Sequence, residues 1–197
     1  MELRLPSPTQ LQAIYEADLV PSFPPSELKP LAAMERMWEQ GNYLPLCLFE
    51  GEEILGECFL WLGHEGWALL DYLCVSPSRR NSGLGGVLLA KMQEHLPDTV
   101  ILAESEAPVH APDPAMAARR LGFYDRNGFR LAGYDSDIFG VHYKTLYLAG
   151  HEIADEALAQ EHAFVYRNTF TPEKYAQHVL IPRDPDLPPV EQIPWDQ

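Results

Sequence analysis

Two adjacent arginines, Arg79 and Arg80, stand in the stretch "LCVSPSRRNSGLGG", followed by Asn81, Ser82, Gly83, Leu84, Gly85 and Gly86. The chain around them is acidic, with 29 Asp and Glu against 14 Lys and Arg and a formal net charge of −15. An apolar run, "WALLDYLCV", precedes this loop and an amphipathic run, "GVLLAKMQEHL", follows it. Strand, glycine-rich loop and helix in that order make an anion site. The first helical turn offers unpaired N–H donors and the positive end of the dipole. Glycines let the backbone approach the anion closely, and arginine adds charge-assisted hydrogen bonds. A diphosphate is the natural guest. A mononucleotide P-loop is excluded, because no Lys follows Gly83, Gly85 or Gly86 directly. A dinucleotide fingerprint is excluded as well, because Leu88 stands where the third glycine belongs.

The elements that must position the loop are legible in outline. "SPTQLQAIYEADLV", capped at Thr9, and "LKPLAAMERMWEQG" read as two helices around the proline-rich "PSFPPSEL". "LPLCLFE" and "EILGECFLWLG" form a hairpin through "EGEE", and "WALLDYLCV" is a central strand buried on both faces. After the loop helix come the strand "TVILAESEAPV" and the helix "DPAMAARRLGFYDRNGF", with Asp113 as cap and Gly128 as stop. Two alternating strands follow, "RLAGYDSDIFG" and "VHYKTLYLAG". The order ααβββαβαββ predicts a mixed α/β sheet. From His151 onward the pattern turns helical, with a Thr171 cap, and ends in a tail holding five prolines.

Composition excludes several function classes. The acidic balance argues against a nucleic-acid partner, which needs clustered Lys and Arg. Cys47, Cys58 and Cys74 lack metal-ligand spacing and the histidines are scattered, so no metal is expected. The sparse, odd cysteine count predicts reduced thiols and a cytoplasmic protein. "MELRLPSPTQ" has no apolar core and no long apolar run occurs, so no export or membrane association is expected.

The spacing R-x-x-G-x-G, from Arg80 to Gly85 and preceded by "LCVSP", resembles the acetyl-CoA loop of the GCN5-related N-acetyltransferases, the GNAT family. A second signature agrees: "RRLGFYDRNGF" resembles the family's later helix, with Tyr124 ahead of Gly128 and Phe129. The element order resembles the family's too, over residues 3–149. The chain departs at Ala118, where many members carry a cofactor-contacting asparagine.

The resemblance implies a mixed, mostly antiparallel sheet flanked by helices. Residues 1–150 would form the GNAT domain and residues 151–197 a C-terminal helical extension with a proline-rich tail. It implies acetyl-CoA as cosubstrate. Leu73, Cys74 and Val75 would pair with the pantetheine arm, and the amides from Arg80 through Asn81, Ser82, Gly83, Leu84 and Gly85 to Gly86 would take the pyrophosphate. The thioester would lie between "WALLDYLCV" and "TVILAESEA". Tyr124 would protonate the leaving thiolate. A carboxylate, directly or through water, would deprotonate the amine. Glu106 ranks first for that role and Glu104 second, since they share one strand face; Asp71 ranks third, on the face of Leu73 and Val75 by simple alternation. Phe23 and Glu27 would form a lip of the acceptor site, with Asp71 beneath. Asp135 and Asp137 read as ordinary solvated loop ends. The acceptor is a primary amine of a small molecule or a protein, and a homodimer is compatible. The alternative is a sheet of this kind that binds acyl-CoA as a sensor or interaction module without turnover.

Overall fold

The computed structural model describes residues 1–186, 188, 190 and 192–195. Its first element is a strand the sequence reading lacks: β1, Glu2–Arg4, pairs at the sheet edge with β2, Tyr43–Glu50. Three residues carry too little alternation to be recognised as a strand from pattern. α1 spans Pro8–Ile14, and its cap is Ser7 rather than Thr9. Pro8 fits the first helical turn, which sets the cap one residue before it. The Ser7 hydroxyl accepts from the Gln10 N–H, while the Gln10 side chain accepts from the Ser7 N–H. A wide turn, Tyr15–Leu19, leads toward α2, Leu31–Glu39, which buries Met34 and Met37.

The remaining strands are β3 (Glu53–Leu62), β4 (Trp67–Val75), β5 (Val100–Glu106), β6 (Arg130–Ile138), β7 (Val141–Leu148) and β8 (Val179–Leu180). They join β1 and β2 in one sheet, ordered β1-β2-β3-β4-β5-β7-β6-β8. β4 and β5 run parallel; the other neighbours are antiparallel. The sheet is therefore mixed and mostly antiparallel, as expected.

Alternation divides the core into two layers. Cys47, Phe49, Phe59 and Trp61 point to one face, and Leu46, Leu48, Cys58 and Leu60 to the other. The first face is covered by Leu11 and Ile14 of α1, Met34 and Met37 of α2, and Leu158, Val165 and Tyr166 of α5 (Asp155–Arg167). The second is covered by Leu88, Leu89 and Met92 of α3 (Leu84–His95), with Leu121, Phe123 and Tyr124 of α4 (Pro114–Arg126) against it. Each such buried Leu or Phe contributes about 1.5–3 kcal/mol. The C-terminal segment belongs to the first layer. After α6, Pro172–His178, β8 extends the sheet beyond β6, and Trp195 packs against Trp61, Phe139 and Phe170.

Candidate active site

β4 and β5 pair only over their first halves. The register runs from Trp67↔Val100 to Leu70↔Ala103 and stops. Beyond it, β4 stays bonded to β3 as far as Val75, and β5 to β7 as far as Glu106. The two strands thus separate like a V, with Leu73 and Val75 on one wall and Glu104 and Glu106 on the other. A bulge helps to open it. Phe59 faces Tyr72 and Leu60 faces Leu70, so Asp71 is one residue too many for the ladder. The bulge also corrects the alternation argument. Asp71 turns to the side of Tyr72 and Lys29 rather than that of Leu73 and Val75, which no periodicity count can foresee.

The V opens into a cleft of about 880 Å³. At its mouth lies the loop before α3. Gly83 caps that helix at φ +82°, a left-handed conformation that favours glycine, with open space where a side chain would stand. A Cβ on Gly85 would lie 3.2 Å from the Phe123 ring, so glycine there lets α3 close on α4. The two arginines part company. Arg79 pairs outward with Glu53 at 2.7 Å, whereas Arg80 lines the cleft and donates to the Ser22 hydroxyl at 2.8 Å. Asn81 and Gly86 also line the cleft. Ser82 and Leu84 are not among its lining residues: the Ser82 hydroxyl turns back to the Arg79 carbonyl, and Leu84 packs on the second core layer.

Tyr124 reaches the cleft from α4, its ring edge-on to Phe123 and Phe129 at 5.5 and 5.0 Å. Burial pushes its phenol up to about 12, against a smaller opposite pull from Arg120. The hydroxyl therefore stays protonated at neutral pH. Ala118 is exposed, while Asn127, one turn past Tyr124, lines the cleft.

The far end is acidic and aromatic. Glu27, Asp71, Glu104 and Glu106 line it with Phe23, Tyr143, Tyr166 and Trp195. Asp71 binds Lys29 at 2.5 Å and accepts from the Tyr43 hydroxyl at 2.5 Å. Glu104 accepts from the Tyr166 hydroxyl at 2.8 Å and contacts His162 Nε2 at 2.9 Å. Glu106 accepts from Arg120 at 2.6 Å. Glu27 is half-buried, with the Tyr143 phenol as its neighbour. Asp135 and Asp137 are not solvated loop ends but lie within β6. Asp137 is 1% exposed, close to Arg183 and the Val190 N–H. Burial pushes the Asp135 carboxyl up, but hydrogen bonds from Lys144 and His142 outweigh this and hold it below its ordinary value.

Residues 42–131 match the model of the acetyltransferase (GNAT) domain family. A curated relative, YjbC of Bacillus subtilis (strain 168), is 32% identical over 110 residues and bears a provisional acetyltransferase name. That match covers 56% of this chain and 53% of YjbC, so the chain spans about half the length of the relative. A provisionally named GNAT-family acetyltransferase from Bacteroides thetaiotaomicron has a similar structure. Its TM-score is 0.71 at 23% identity, over 86% of this chain and 98% of that one. The PaiA N-acetyltransferase of Thermoplasma acidophilum, solved in complex with coenzyme A, superposes with a TM-score of 0.53 at 16% identity, over 75% and 98% of the two chains. Over residues 42–131 the chain matches the GNAT acetyltransferase family, and it shares the fold of these solved structures.

The splayed strands, the arginine-bearing loop and Tyr124 share one cleft, with the expected lip residues Phe23 and Glu27 across it. Sequence reading missed Lys29, Tyr143, Tyr166 and Trp195. Alternation in "VHYKTLYL" places Tyr143 on one face with Thr145 and Tyr147 and so carried a usable signal. Nothing local in the sequence joins Tyr166 or Trp195 to β4 and β5. No described helix is long and apolar enough to cross a membrane.

Proposed function

We propose that this GNAT domain transfers an acetyl group from acetyl-CoA to a primary amine, of a small molecule or a protein, in a reducing cytoplasmic setting. The observation that carries the reading is the end of the β4–β5 register at Leu70↔Ala103, directly beside the loop and Tyr124. The residues present fit coenzyme A. The diverging edges of β4 and β5 leave backbone groups for a pantetheine arm to pair with like an added strand. Arg80, Asn81, Gly83, Gly85 and Gly86 form a small-residue cradle that suits a pyrophosphate. Three free, buried cysteines support the reducing compartment. We also propose residues 1–150 as the catalytic domain and residues 151–197 as an extension that completes its acceptor end.

Acetyl-CoA bound in the gap supplies an acyl carbon activated as a thioester. The protein's part is to orient that carbon, exclude water and move two protons. A carboxylate at the acidic end, with Glu106 and Glu104 as the strand-borne candidates, removes a proton from the incoming amine, directly or through water. Tyr124, kept neutral by burial, donates its proton to the departing sulfur. The acidic wall also concentrates cationic amines near the site.

The test is a thiol-release assay with acetyl-CoA and three acceptors: butylamine, spermidine and a peptide with a free N-terminal alanine. Saturable turnover with any of them supports the transferase. Tight coenzyme A binding without turnover on all three would favour a non-catalytic acyl-CoA sensor.

A further inference from the structure

We propose that Glu27, carried on the loop between α1 and α2, is the catalytic base that receives the proton of the acceptor amine, and that the C-terminal segment bearing Gln192 and Trp195 holds it in place as a strap. The inference rests on the cleft being an acetyl-CoA site.

A base in this cleft needs an oxygen that is not committed to a cation. Asp71 is committed to Lys29 and Tyr43. Both oxygens of Glu104 are engaged, one by His162 and one by Tyr166. Glu106 is held at 2.6 Å by the Arg120 guanidinium. Glu27 has no Lys, Arg or His partner among the described ion pairs, and its neighbour is the Tyr143 phenol. Its surroundings also favour proton uptake. Burial, then the charges of Glu106 and Glu104 on β5, raise its carboxyl above the ordinary range; Tyr143 on β7 and Arg120 on α4 oppose this without cancelling it. Tyr72 on β4 meets its backbone.

The loop is fixed on every side, as a base requires. The Glu27 N–H donates to the Pro24 carbonyl at 2.9 Å, and the Glu27 carbonyl accepts from the Tyr72 hydroxyl at 2.8 Å. The same hydroxyl accepts from the Lys29 N–H at 2.8 Å. The C-terminal strap grips the preceding residues. Trp195 N–H donates to the Pro25 carbonyl at 3.1 Å, and Gln192 donates to the Ser26 hydroxyl at 3.0 Å. Trp195 is itself anchored by Lys174, which donates to its carbonyl at 2.9 Å. The strap thereby acts as a positioning element for Glu27.

The step balances. The neutral amine nitrogen bonds to the acyl carbon as the carbon–sulfur bond breaks. The amine proton passes to the Glu27 carboxylate, and the sulfur takes its electron pair and a proton from Tyr124. Amide and free thiol leave, and solvent returns the two side chains to their starting states.

The experiment is the pH dependence of kcat/KM for full-length wild type, Glu27→Gln and Glu27→Asp, with acetyl-CoA and the fastest of the three acceptors above. Coenzyme A affinity and thermal melting are measured in parallel. Glu27→Gln is expected to lose about 10²–10⁴-fold in kcat/KM and the rising limb of the profile, with coenzyme A affinity kept within about twofold. Glu27→Asp should keep the limb at a reduced rate. A Gln variant that melts like wild type and retains the limb would overturn the assignment; should it fail to fold, loss of the limb in the Asp variant would do so. Absence of wild-type turnover would instead remove the transferase reading, and this inference with it.

Discussion

Lys29 Nζ and Asp71 Oδ1 lie 2.5 Å apart beneath the acceptor end of the cleft, with side chains 2% and 8% exposed. The ammonium also lies over the rings of Trp61 and Trp195, at 4.3 and 4.0 Å. Burial lowers the Lys29 pKa, and the charge and hydrogen bond of Asp71 work against that. The bulge of β4 aims Asp71 at this lysine, so the pair ties the central strand to the α1–α2 loop. Removing one member of a buried pair leaves the other uncompensated. Asp71→Asn is therefore expected to destabilise the fold by about 3–5 kcal/mol, read by chemical denaturation. A variant as stable as wild type would show that the pair has no structural role.

Tyr124→Phe should preserve coenzyme A affinity and lower kcat by about 10²–10³-fold, because it removes a proton that matters only when the thiolate leaves. Single-turnover kinetics beside equilibrium binding separate the two effects. Undiminished kcat would mean that solvent protonates the sulfur.

How much of this was legible in the sequence follows from the range of each interaction. The loop and α4 could be read because their signals are local: Gly83, Gly85 and Arg80 lie within six residues, and Asp113, Pro114 and Gly128 bracket a helix. The hairpin of β2 and β3 was equally local. Asp71 was misplaced because a bulge reverses alternation without leaving a mark in residue types. The spacing R-x-x-G-x-G singles out Arg80, but the partners that aim the two arginines, Glu53 for Arg79 and Ser22 for Arg80, lie far away in the chain. The proline-rich tail reads as a strap or a loose end, but its partner was not legible for the same reason, since Gln192 meets Ser26 across almost the whole sequence.

Glu57 predicts a pH-dependent stability. It is 0% exposed at the centre of β3, and among the described residues neither carboxylate oxygen has a nitrogen or oxygen hydrogen-bond partner. Burial, then the nearby charge of Asp18, raises its carboxyl from 4.5 to about 8; Cys74 and Arg80 oppose this. The folded state thus binds the proton more tightly than the unfolded chain. Stability should fall as pH rises from about 4.5 to about 8, by about 1.4 kcal/mol per unit of pKa elevation, and level off above. Glu57→Gln should flatten that slope in denaturation curves taken across this range. An unchanged slope would assign the pH dependence to other groups.

Trp195→Ala should loosen the α1–α2 loop by removing the aromatic contacts that seat the strap. The expected result is faster amide exchange at residues 26–28 and a several-fold fall in kcat, with coenzyme A affinity retained. Wild-type exchange in that loop would show that the strap does not restrain it.

The central claim is that the loop before α3, backed by Arg80, holds the pyrophosphate of coenzyme A. Isothermal titration of coenzyme A into wild type and Arg80→Glu tests it most directly. The account predicts saturable binding that weakens at least about tenfold in the variant, equivalent to about 1.4 kcal/mol, and that declines with added salt. Equal affinity for both proteins, or no heat of binding to wild type, would contradict it.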